Sequence, residues 1–148
     1  MRVRRALAAV ALLVVGVGSA GCRGGALAEE DQVQPATVEA VAGTDLSRVT
    51  LTEEGVGRLG IRTEPVTRAA GPGPARTTVP FSAVLYDADG QAWVYTTVGE
   101  NAFVRAPIVV DGVDGDTAYL REGPAPETSV VTVGVPELYG AEYGVGGE

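Results

Sequence analysis

Turn signals recur about every ten residues through most of the chain, and this spacing constrains the fold more than any other feature. The runs between them are short and rich in Val, Thr and aromatic residues, the composition of strands in a pleated, half-buried sheet. The clearest case is Pro80 to Tyr86 followed by Gln91 to Thr97, with Asp87-Ala88-Asp89-Gly90 between them. Asp favours such a turn by bonding its own backbone, and Gly90 suits a positive φ, so the pair predicts a hairpin. A second turn near Val98 to Ala102 leads into Phe103 to Val110. Asp111 to Asp116 predicts a third turn, and Thr117 to Arg121 and Val130 to Val133 complete a meander.

Upstream the pattern changes briefly. Val49 to Leu51 is extended, and Thr52 then precedes Glu53, Glu54, Val56 and Leu59, the last two on one face of a short helix. Thr52 fits the N-cap, the two Glu suit the positive end of the helix dipole, and Gly60 fits the C-cap. Ile61 to Thr67 predicts a strand, and the Gly/Pro-rich Arg68 to Arg76, RAAGPGPAR, a breaker that joins two parts. The expected fold class is therefore mainly β: a small antiparallel barrel-like or sandwich-like domain over residues 48–145, with one short helix.

Composition narrows the chemistry. The chain has no His and no Lys, its only Cys is Cys22 and its only Met is Met1. Base catalysis by His, a Ser nucleophile activated by Lys, a soft-metal site and an internal disulfide are all excluded. Ser82 is therefore not a nucleophile. Downstream of residue 21 the chain carries 8 Arg against 19 Asp plus Glu, a net charge of −11. Such a surface repels nucleic acid and anionic headgroups. A carboxylate-only enzyme would need a paired acid and base, but no such pair is expected in anything but turns or the acidic tether. No catalytic residue, cofactor or metal is expected.

The N-terminus reads as an address. Arg2, Arg4 and Arg5 precede the apolar run Ala6 to Val17, which is too short to span a bilayer and fits a signal peptide over residues 1–21. Ser19-Ala20-Gly21-Cys22 resembles a lipobox, although Ser19 stands where a larger aliphatic residue is usual. The resemblance implies a diacylglyceryl group, with palmitate-type chains, on the Cys22 thiol. Two chains hold a protein on a membrane far better than one. The alternative is an ordinary secreted protein cleaved near Ala20 with a free Cys. Residues 22–47, small, polar and acidic, are expected to form a flexible tether, and residues 146–148 a tail. The expected location is the outer face of the cytoplasmic membrane.

Several segments, in order, resemble the periplasmic adaptor subunits (membrane fusion proteins) of RND-type efflux systems. They are Val49 to Glu54 with Leu59 to Val66, then Val79 to Tyr95 (VPFSAVLYDADGQAWVY), then Phe103 to Val110, Gly115 to Leu120, Glu122 to Pro124 and Val130 to Gly134. The resemblance covers residues 49–145. It implies a non-catalytic envelope lipoprotein docking on an inner-membrane transporter, with oligomers as in full adaptors. Full adaptors also carry a lipoyl domain and a long helical hairpin, and here RAAGPGPAR takes their place. The resemblance thus implies a single-module relative without the parts that reach an outer-membrane channel.

A few residues invite a second function. Trp93 and Tyr95 alternate on a strand with Gln91 and Thr97, and Tyr139 and Tyr143 lie near the C-terminus. These four aromatics are the candidate ligand or partner face of a stand-alone envelope module that holds cell-wall material or a small molecule. Core packing is the competing expectation for Trp93 and Tyr95. Phe81, with Ala83 and Leu85, is expected in the core, and Glu137 to Tyr143 is either a docking segment or a closing strand. Asp87 and Asp89 fit a turn better than a carboxylate pair. Asp111, Asp114 and Asp116 lack the spacing of a calcium loop.

Overall fold

The computed structural model describes residues 34–70 and 76–144. Cys22, the signal peptide, the tether up to residue 33 and the tail lie outside the described residues. The strands are β1 (Ala36–Ala40), β2 (Ser47–Leu51), β3 (Arg62–Pro65), β4 (Thr67–Arg68), β5 (Thr77–Pro80), β6 (Leu85–Tyr86), β7 (Ala92–Gly99), β8 (Ala102–Pro107), β9 (Val109–Asp114), β10 (Thr117–Glu122) and β11 (Ser129–Val133). Helix α1 spans Glu53–Leu59 and α2 spans Val135–Glu142. The fold is mainly β and antiparallel, as expected. Among the described residues its strands form two sheets and no closed barrel, with two short helices where one was expected.

The larger sheet runs β1-β2-β8-β7-β11-β3, with β6 added beside β7, and the smaller runs β4-β5-β10-β9. The central strands of the larger sheet are buried on both faces. Alternation along β7 turns Ala92 and Val94 toward one cluster and Tyr95 toward another. The first cluster is wholly aliphatic, built from both sheets: Val94 and Val130 meet Val79, Ala118 and Leu120. The second sets Val49, Leu51, Tyr95, Phe103 and Val131 against Val135 and Leu138 of α2, with Val56 and Leu59 of α1 packed beside them.

Three expected strands are each broken, and the breaks share a cause. The run 61–67 divides at Val66 into β3 and β4, 80–86 passes through a 3-10 turn at Phe81–Ala83, and 103–110 divides at Ile108 into β8 and β9. At each break the chain crosses from one sheet to the other, and Val66, Ala83 and Ile108 are all buried in the aliphatic cluster between them. A corner strand that changes sheets is the usual way for a sandwich to close its ends. The 3-10 turn reverses one expectation: Phe81 is rotated outward and 43% exposed, while Ala83 takes the core position.

Helix α1 forms for the reasons its sequence suggests. The Thr52 hydroxyl accepts from the Gly55 amide at 3.0 Å, and Gly60 closes the helix in the left-handed region at φ 63°. The hairpin turn also holds, with Gly90 at φ 79° and Asp87 Oδ1 accepting from the amides of Asp89 and Gln91. Two segments differ. β1 lies within the stretch expected to be tether, because pairing with β2 across five residues gives its backbone partners that its sequence does not advertise. Glu137 to Tyr143 belongs to α2 and its C-cap, not to a strand. Pro136 near the helix start and the left-handed Gly134 before it set the entry, and a Cβ at Gly134 would collide with Ile61.

Candidate functional site

β7 and β8 pair so that Arg105 stands directly opposite Tyr95, and Trp93 lies one step along the same face. Arg105 is 6% exposed. A guanidinium this buried in an apolar strand requires a partner, and α2 supplies it. Glu142, at the last turn of the helix, receives Arg105 Nε at 3.0 Å on Oε1 and at 2.9 Å on Oε2, and its side chain is 3% exposed. The Tyr95 hydroxyl donates to the same carboxylate at 2.6 Å. Arg105 Nη2 donates to the Tyr143 hydroxyl at 2.8 Å.

Aromatic rings surround this pair. The guanidinium carbon lies 4.7 Å from the Trp93 ring centre, 5.3 Å from Tyr143 and 5.8 Å from Tyr139, within range for cation–π attraction. Tyr139 and Tyr143 are tilted against each other at 4.7 Å. The far edge of Trp93 donates from Nε1 to Asp87 Oδ2 at 2.8 Å. The network therefore runs from the hairpin turn, across two strands, to the C-terminal helix.

The electrostatics follow from this arrangement. Burial pushes the Tyr95 hydroxyl far above its ordinary value, and donation to Glu142 pushes it further. Burial alone would lower Arg105, but the Glu142 carboxylate together with the Tyr143 and Tyr95 hydroxyls more than offsets it, so the guanidinium is held charged. The hydrogen bond from Trp93, helped by the Gln91 and Asp89 amides, holds Asp87 below the usual carboxylate range. Partial desolvation raises Tyr139.

All four aromatic candidates thus meet in one cluster, around a pair that sequence reasoning passed over. Their surfaces differ. Tyr95 is fully buried, Trp93 and Tyr139 are half-buried, and Tyr143 is 55% exposed. Most polar groups of the cluster are used inside it, so its clearest effect is to fasten α2 to the sheet. Two signals pointed to the pair: Arg105 is the only charge in the strand AFVRAP, and Glu142 is the acid nearest the two C-terminal tyrosines.

The remaining acids are dispersed. Asp87 serves its turn. Asp111 pairs with Arg76 at 2.8 Å, Asp114 ends β9 and Asp116 sits in the β9–β10 turn, which is shorter than expected because residues 111–114 are strand. Among the described residues no group of three or more Asp, Glu, Cys or His gathers as a metal site. Ser82 lies exposed in the 3-10 turn.

A second concave feature lies beneath α2. Ala36 and Val38 of β1, Leu51, Leu59, Pro136 and Ala141 line an apolar groove of about 950 Å³ between the β1 end of the larger sheet and both helices. Among the described residues no helix is long and apolar enough to cross a membrane. No family model, curated protein or solved structure matches this chain.

Proposed function

We propose that this chain is a non-catalytic envelope lipoprotein, anchored through Cys22 to the outer face of the cytoplasmic membrane, that docks on a membrane transporter as a single-module relative of efflux adaptors. One observation carries the reading beyond the resemblance itself. The two strands flanking RAAGPGPAR, β4 and β5, are antiparallel neighbours, with Thr67 opposite Thr78 and Arg68 opposite Thr77. Ala69 N donates to Arg76 O at 2.9 Å, continuing the pairing toward the connector. Full adaptors carry their lipoyl domain and helical hairpin as an insertion in the chain. Here the two ends of the connector are already side by side, so the module needs no inserted domain to complete its smaller sheet. Neither His nor Lys is available for catalysis, which favours a docking role.

Crosslinking in native membranes, with wild type compared with Cys22→Ala, tests the proposal. Capture of a polytopic transporter that falls when the anchor is lost supports it. Recovery of cell-wall material alone would replace it with the stand-alone binding module.

A further inference from the structure

Among the described residues five strands keep an open side, β1, β3, β4, β6 and β9, and four of them carry devices that prevent other strands from pairing with them. β3 presents Arg62, Glu64 and Pro65. β4 and β6 are only two residues long. β9 contains Gly112 and is thrown out of register twice against β10. β1 is different. Its five residues pair with β2 without interruption, it holds no Pro, Gly, Lys or Arg, and Val38 at its centre is 44% exposed.

The direction of the β1 backbone follows from its neighbours. Thr52 N donates to Pro35 O, and Val41 N donates to Leu46 O, so residues 35 and 41 face β2. Leu51 N donates instead to Asn101 O on the far side, so its partner Ala36 is not hydrogen-bonded to it. Alternation then turns the amide and carbonyl groups of Ala36, Val38 and Ala40 away from the sheet. The side chains of Ala36 and Val38 line the apolar groove beside this open edge.

We infer that β1 is a strand-addition site for an extended partner segment, with alternate apolar side chains that enter the groove and basic residues at its flanks. Charge selects the occupant. Glu137 on the groove wall, and Glu39 on the edge strand's other face opposite Arg48 of β2, join none of the ion pairs among the described residues, whereas Arg58 in the groove is held by Glu54. A second copy of this chain would bring the same acids and the same net charge of −11 beyond residue 21. The inference rests on the docking reading for the source of the segment, but the edge can be tested without it.

The test uses the full-length chain and labelled synthetic peptides of alternating Val and Thr, flanked by Arg or by Glu. Strand addition requires the outward amides, and the acidic rim requires positive flanks. The Arg-flanked peptide is expected to bind about tenfold tighter than the Glu-flanked one, with the gap closing at high salt. Val38→Pro removes an outward amide and no bond to β2, so it should keep the circular dichroism of wild type and lose about tenfold in affinity. Glu39→Lys with Glu137→Lys should reverse the flank preference. Equal binding of the two peptides, or unchanged binding to a folded Val38→Pro, overturns the inference. A dimer abolished by Val38→Pro also overturns it, by making β1 a self-pairing edge. If the same transporter is crosslinked by wild type and Val38→Pro, docking stands and this edge is not its contact. If the peptide binds as expected and no transporter is captured, the edge stands and the docking reading falls.

Discussion

Where the larger sheet meets the smaller one, the hydrophobic cluster between them is wholly aliphatic: Val66, Val79, Ala83, Ala92, Val94, Ile108, Ala118, Leu120 and Val130. On the opposite face the sheet buries Tyr95 and Phe103 among aliphatic residues, and beside them Arg105 joined to Glu142. The first face is held by non-directional burial, which depends on volume and tolerates exchange among residues of similar size. The second is held partly by bonds with fixed directions. A helix resting on apolar side chains alone can slide or rotate at low cost. The carboxylate at the end of α2 meets one guanidinium and one hydroxyl, and this leaves the helix a single orientation.

Breaking the ion pair should have the largest effect. Arg105→Ala leaves the Glu142 carboxylate buried with only the Tyr95 hydroxyl bonded to it, and the Tyr143 hydroxyl short of a partner. Loss of one member of a buried pair costs about 3–5 kcal/mol. Denaturant unfolding should show that loss, with near-ultraviolet circular dichroism reporting release of the tyrosines. Replacing both Arg105 and Glu142 by Leu should recover most of the stability, because no charge is then stranded. If the double variant is as unstable as the single one, volume and not charge governs this face, and the contrast between the two faces fails.

Truncation on the aliphatic face comes next. Leu120 is 1% exposed and packs beside Ile108, where even Gly123 has no room for a Cβ without displacing both. Leu120→Ala should cost about 2–5 kcal/mol through lost burial and the cavity left behind. Leu120→Met should cost less than about 1.5 kcal/mol, because volume is kept. A conservative exchange that is as damaging as the truncation would show that this face, too, is shape-specific.

The two faces were unequally legible in the sequence. The aliphatic strands, the caps of α1 at Thr52 and Gly60, and the Asp87–Gly90 turn are local signals, and each appears where its residues indicate. The sheet crossings at Val66, Ala83 and Ile108 are not local. Each interrupts a run whose composition is uniform on both sides, and only the partners across the sandwich fix the break. β1 was hidden for the same reason, since ATVEA becomes a strand through pairing with β2. The four aromatics singled out in the sequence meet in one cluster. Their organising pair was missed because Arg105 and Glu142 are 37 residues apart, and because Glu137 to Tyr143, broken by Gly140, carries little helical signal.

The smallest effect belongs to the outer end of the polar network. Asp87 accepts from Trp93 Nε1 and from two backbone amides, and these bonds favour its charged form over the protonated one. Its folded-state value lies below the ordinary 3.8. The stabilisation from its charge is therefore fully present above that ordinary value, and is lost as pH falls through the lower value of the folded state. Asp87→Asn keeps an acceptor oxygen and removes the titration. Wild type should thus lose stability more steeply than the variant as pH falls below that ordinary value, and the variant should show a shallower acid limb. Trp93, the only tryptophan in the chain, supplies a fluorescence probe at the bond itself, and far-ultraviolet circular dichroism supplies one away from it. If acid limbs of the two proteins superimpose by both probes, Asp87 contributes geometry to the turn but no charge to the network. The directed face of the sheet would then end at Trp93, with the turn outside it.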